Sequence, residues 1–117
     1  MVRIISVVED LFFLVKIQAA AKQIGAELTI VSTAEALRAK AAVRPDIFLF
    51  DLNGVATKPL ESVAWIREQT QLSGVKVIGY ISHVQTELRS KALEAGFDAV
   101  YARSVFSTKA AEILAGD

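Results

Sequence analysis

Five short apolar runs, at 3–8, 27–31, 46–50, 75–81 and 99–101, constrain this chain more than any other feature. Each has the length of a strand and is rich in Val, Ile or Phe, and most lack the polar alternation of a strand with one wet face. Runs of that kind fit parallel strands covered on both sides. The stretches between them have helical period. Five strands alternating with five helices require crossover connections, which are right-handed almost without exception. The expected fold class is therefore α/β: a doubly wound five-stranded parallel sheet with helices on both faces. A hydrophobic content of 53%, above the ~45–50% of ordinary soluble domains, agrees with a doubly covered sheet, and residues 1–117 are expected to form a single domain.

The helices have readable ends. Asp10 is placed to cap a first helix whose Phe13, Ile17, Ala20 and Ile24 share one face, with Gly25 just past its end. Ser32 with Glu35 reads as a capping box for a second helix, which Pro45 stops. Pro59 suits the first turn of a third helix running to about Leu72, before Gly74. Ser82 with Gln85 reads as another capping box, ahead of Leu88, Ala92 and Ala95, with Gly96 as the stop. Ser107 is placed to cap a final helix carrying Ala110, Ile113 and Leu114.

Several function classes fall away. Thirteen basic and thirteen acidic residues cancel, so the field that a nucleic-acid binder uses is missing. The chain has no cysteine, which excludes disulfides and thiolate chemistry, and its one histidine excludes a two-histidine metal site. No apolar run approaches the ~20 residues of a membrane helix. The opening run is short and reaches acids by Glu9, which reads as a first strand rather than a signal peptide, and a cytoplasmic protein is expected. A Gly-rich phosphate loop and a nucleophile beside a histidine are both missing, so an enzyme is not expected.

In doubly wound sheets the working crevice lies beyond the carboxyl ends of the strands. That rule selects Glu9 and Asp10 after the first strand, and Asp51 with Asn53 after the third. It also selects Ile81 and Ser82 at the fourth and Arg103 and Ser104 at the fifth. Alone, Asp10 is a helix cap and Asp51-Leu52-Asn53 a turn. Together, three carboxylates at adjacent strand ends repel one another and raise one another's pKa, and a divalent cation resolves the conflict. Mg²⁺ is the natural candidate, since it accepts one or two carboxylates with backbone oxygens and water.

The segments VVED (7–10), PDIFLFDLN (45–53) and GFDAVYAR (96–103) resemble, in order and spacing, the signatures of response-regulator receiver domains. The resemblance covers essentially the whole chain and implies the flavodoxin-like, CheY-like fold of five βα units. It implies that Glu9 and Asp10 hold Mg²⁺ together with Asp51 and the backbone carbonyl of Asn53. It implies that Asp51 accepts a phosphoryl group from a histidine kinase, a phosphotransfer protein or a small donor. Any response must then pass to a downstream protein partner, or through a homodimer formed on the face of the fourth helix, fifth strand and fifth helix.

The chain also departs from that pattern. Ile81 stands where the resemblance places a switching Ser or Thr, with Ser82 at the small residue that follows. Arg103 stands in place of a lysine, as the phosphate contact, and Ser104 in place of a proline, which disfavours a cis peptide there. Val100 takes the place of the reporting aromatic, with Tyr101 expected on the other side of the sheet. Gly54-Val55-Ala56-Thr57 differs from the usual loop after the acceptor. These are the marks of an atypical or pseudo-receiver, and the alternative function is a phosphorylation-independent interaction or dimerisation module. Of the remaining residues, His83 is expected to open the fourth helix, Trp65 to be at least partly core, and Arg89 and Lys91 to lie on a solvated face. Phe12 and Phe13 cannot share one core, so one of them should be exposed.

Overall fold

The expected strands form and pair in one parallel sheet. A computed structural model of the protein describes residues 1–82 and 85–116, so the expectation for His83 lies outside the described residues. The strands are β1 (Arg3–Val7), β2 (Glu27–Val31), β3 (Ile47–Asp51), β4 (Lys76–Ile81) and β5 (Ala99–Ala102). They lie in the order β2-β1-β3-β4-β5. The helices are α1 (Leu11–Gln23), α2 (Ala34–Lys40), α3 (Pro59–Glu68), α4 (Thr86–Ala95) and α5 (Arg103–Leu114). None of the described helices is long and apolar enough to cross a membrane.

Strand alternation divides the core into two layers. Val7, Phe48, Phe50, Val77, Ile81 and Val100 pack against α2, α3 and α4. Ile4, Leu49, Ile78 and Tyr80 pack against α1 and α5. The centre of the second layer is aromatic: Tyr80 lies 4.4 Å from Phe13 and 5.4 Å from Phe106, centroid to centroid. Val100 and Tyr101 fall on opposite sides, as alternation requires.

Several helix ends differ from the sequence expectation. Thr33, not Ser32, caps α2, its hydroxyl accepting from the Ala36 N–H at 3.1 Å. The helix then begins at Ala34, which leaves Glu35 one position too early to close the box. Helix α3 ends at Glu68, and a short 3₁₀ turn over Thr70–Leu72 brings Leu72 into the core. Helix α4 starts at Thr86 with no side-chain cap, and Ser82 instead gives its N–H and hydroxyl to Asn53 Oδ1, each at 3.0 Å. Helix α5 begins at Arg103, directly after β5, so Ser107 lies inside it rather than at its start. The early start lets the fully buried Phe106 reach the aromatic layer, and the helix bends at Lys109.

The amino edge of the sheet is tied by Arg67 on α3. Its guanidinium donates to the carbonyls of Val75 and Gly96 and pairs with Asp98 at 2.9 Å. Gly96 sits at φ 128°, a conformation strained for any other residue, with Arg67 packed against it. Trp65 is half-buried, with Arg38 over its ring at 5.4 Å. Arg89 and Lys91 are exposed, and Lys91 pairs with Glu87 one turn away.

The aromatic layer joins α1, β4 and α5, so its loss is costly. Phe106→Ala removes a fully buried ring and is expected to lower stability by about 3–5 kcal/mol in chemical denaturation.

Candidate functional site

The carboxyl edge of the sheet gathers the residues that the crevice rule selects. Asp51 ends β3, a strand buried along its whole length, and is itself 7% exposed. Its Oδ1 accepts from the Asn53 N–H at 2.9 Å. Among the described residues its Oδ2 has no hydrogen-bond partner. Burial pushes the Asp51 carboxyl above the usual carboxylate range, and the nearby Asp10 and Glu9 add to that. The Asn53 N–H and the Arg103 guanidinium pull the other way without cancelling it.

Asp10 lies at the amino end of α1 and uses both of its oxygens. Oδ1 accepts from the N–H groups of Phe12 and Phe13, at 3.0 and 3.2 Å, as the expected helix cap. Oδ2 accepts a short charge-assisted bond from Arg103 Nη2. That bond holds the Asp10 carboxyl below its usual range, with the two backbone donors adding to it. Arg103 is fixed from below as well, its guanidinium stacked 4.6 Å from the centre of the Phe13 ring. It thus pairs with Asp10 while also screening Asp51.

Glu9 accepts from the Val55 N–H at 2.7 Å, pinning the loop after β3. Gly54 makes that approach feasible: a Cβ there would stand 2.8 Å from Glu9 Oε2 and 2.5 Å from Thr57 Oγ1. The Asn53 side chain works as a brace between two loops, accepting from Ser82 and donating to Gln85 Oε1 at 3.1 Å.

The donor chemistry at this edge is that of a hard cation, but the present arrangement does not fit one. Both Asp10 oxygens, one oxygen of Glu9 and one of Asp51 are committed to protein donors. Among the described residues no three acidic or histidine side chains form a group able to hold a metal. Ile81 is also out of reach: it is buried in the three-helix layer, whereas alternation puts Asp51 on the face of its register partner Tyr80. Ser82, next along, lies on the Asp51 side of the sheet end, in a cleft shared with Arg103.

Two participants escape a reading of motifs. Tyr80 is fully buried beside Asp51, and the burial, together with the Asp51 charge, pushes its hydroxyl well above the usual phenol range. The period of β4 could have placed it there. The Val55 N–H that holds Glu9 leaves no side-chain signal at all. Phe13 is buried and Phe12 is 89% exposed, as the crowding argument requires.

No family model matches the chain, and no curated protein matches it in sequence. Its fold recurs in solved structures. A response regulator from Hahella chejuensis superposes with TM-score 0.88 at 16% identity, over 98% of this chain and 93% of that one. The receiver domain of sensor histidine kinase PA1611 from Pseudomonas aeruginosa, which has a magnesium ion coordinated in its active-site cleft, gives 0.82 at 22% identity, over 96% and 93%. The Mn²⁺-bound form of response regulator Rcp1 gives 0.81 at 19% identity, over 99% and 91%. The fold is that of the CheY-like receiver domains.

The two aspartates predict opposite pH behaviour. Asp51, raised, makes the folded state hold its proton more tightly than the unfolded chain does. Its ionisation therefore costs stability as pH rises through and above the ordinary carboxylate range. Asp51→Asn is expected to raise the melting temperature at neutral pH, with the gain vanishing near pH 3. Asp10, lowered, contributes stability that is present at neutral pH and lost as pH falls through its folded value. Asp10→Asn, which keeps a competent cap, is expected to lower the melting temperature at neutral pH and to converge with the parent in acid. Melting curves of both variants between pH 3 and 8 check the pair.

Proposed function

We propose that the chain is a receiver-type signalling module whose acceptor carboxylate is Asp51, with Arg103 supplying the resting charge balance of its crevice. The observation that carries this reading is the state of Asp51. It is a nearly buried carboxylate at the end of the central strand, with one oxygen tied to a backbone N–H and the other without a partner among the described residues. In the proposed transfer, Asp51 Oδ2 attacks phosphorus and forms the acyl phosphate. The donor, a phosphohistidine of a kinase or phosphotransfer protein or a small acyl phosphate, leaves with the electrons of the broken bond. Arg103 is the cation at hand for the incoming oxygens, and its planar fork suits phosphate as well as carboxylate.

Mg²⁺ at Glu9, Asp10, Asp51 and the Asn53 carbonyl, the site that the receiver resemblance implies, requires Arg103 to leave Asp10. The parent is therefore expected to show a small rise in melting temperature with Mg²⁺, and Arg103→Ala a larger one. The variant loses an ion pair and a ring contact, on the order of 1–2 kcal/mol without metal, and added Mg²⁺ restores part of it. An Arg103→Ala protein that melts like the parent at every Mg²⁺ concentration would count against Arg103 as the resident counter-ion.

The position of Ile81 favours a second reading. A buried aliphatic side chain on the opposite face offers no hydroxyl to a phosphoryl group on Asp51, and the Arg103–Asp10 pair neutralises the crevice without any modification. On that reading the chain is a phosphorylation-independent interaction or dimerisation module. Intact mass after incubation with acetyl phosphate and Mg²⁺ separates the two. A phosphoryl adduct in the parent, absent in Asp51→Asn, supports the first; an unmodified parent supports the second.

A further inference from the structure

Beside the acid crevice, and not including Asp51, lies an open cleft of about 570 Å³ between the amino-terminal halves of α1 and α5. Its size is that of small-molecule sites. Lys16 and Arg103 supply two cations to its walls, and Ser82, Ser104 and Ser107 supply three hydroxyls. The amino end of α5 opens there with no side-chain cap and no acidic residue in its first turn. Its first N–H groups therefore have no partner within the helix and no competing carboxylate.

The hydrogen-bonding capacity points outward. Lys16 Nζ donates to Ser107 Oγ at 2.8 Å, which leaves two ammonium protons and the Ser107 hydroxyl proton to give. Of the guanidinium of Arg103, only Nη2 is engaged with Asp10 among the described residues. The other nitrogens remain available as donors, held in place by the ring of Phe13. This surplus exceeds what a two-oxygen carboxylate takes up and matches the three oxygens of a phosphate. Phe12 stands over the same cleft, 89% exposed, with its ring covered by nothing in the described structure.

We propose that this cleft binds a small phosphate monoester carrying a flat apolar group. The phosphate is held by Lys16, Arg103 and the amino end of α5, and the apolar part lies on Phe12. The site shares Arg103 with the acid crevice but does not include Asp51, and ligand binding there requires no phosphoryl transfer to Asp51.

Phenyl phosphate is the probe, titrated into the full chain and followed by backbone amide NMR. Saturable shifts are expected at residues 12–16, 82 and 103–107. Inorganic phosphate, which lacks the ring, and Phe12→Ser are each expected to show affinity lower by about three- to tenfold. Lys16→Gln removes a charge-assisted bond and is expected to weaken binding about tenfold. Both substituted residues are exposed, so the variants should fold as the parent does. Asp51→Asn, which removes a nearby negative charge and no wall of the cleft, is expected to bind phenyl phosphate at least as tightly as the parent. Shifts that never saturate or fall elsewhere would overturn the proposal, as would parental affinity in Lys16→Gln. Inorganic phosphate binding as tightly as phenyl phosphate would remove the apolar part of the site, and loss of binding in Asp51→Asn would move the ligand into the acid crevice; either result overturns the proposal as stated.

Discussion

A carboxylate at the end of a strand buried on both faces has little water to spread its charge into, and the carboxyl edge of this sheet is organised around that difficulty. Asp51 answers it in part by holding its proton more tightly and in part through the Asn53 N–H. The rest falls to Arg103, which pairs with Asp10 while acting on Asp51 through space. Arg103 cannot be placed casually. It is the first residue of α5, it rests on Phe13 of α1, and Phe13 rests on Tyr80 of β4. Electrostatic compensation and core packing are thus one connected object, running from the surface acid pair to the floor of the two-helix layer.

The sequence made the sheet legible because buried parallel strands leave an unambiguous trace: short, apolar and unalternating. All five appear within a residue or so of the expected limits. The acids and Arg103 were legible for a related reason, since topology alone says which strand ends face the crevice. The serines were not. Ser32, Ser82 and Ser107 all sit where a cap is plausible, yet Thr33 caps α2, Ser82 bonds to Asn53, and Ser107 meets Lys16. A hydroxyl satisfies itself with whichever partner the tertiary structure brings near, and those partners are 29 and 91 residues distant for Ser82 and Ser107. The same distance hides the cleft between α1 and α5, whose walls come from both ends of the chain.

The two layers of the core also carry different potential for change. The three-helix side takes Ile81 and Val100 into a mixed interior, where Phe50 and Phe97 meet edge to face at 5.4 Å between centroids. The two-helix side stacks Phe13, Tyr80 and Phe106 directly under the charged edge. Arg103 rests on that stack, whereas Asp51 also reaches the start of α4 through Asn53, Ser82 and Gln85. A change of charge at the crevice therefore has a packed route toward α1 and α5 and a hydrogen-bonded one toward the start of α4.

The clamp made by Arg67 gives this asymmetry a mechanical form. One guanidinium ties α3 to the carbonyls of Val75 and Gly96 and to Asp98, just where β4 and β5 begin. At the other end, α4 and α5 both start without a side-chain cap. The β4–β5 half of the molecule is fastened at both ends by different means, at its root by one guanidinium and at its tip by the Ser82–Asn53 and Arg103–Asp10 contacts. The root fastening involves neither Asp51 nor Arg103, so the register of β4 against β5 is held by contacts that the charge of the crevice does not reach.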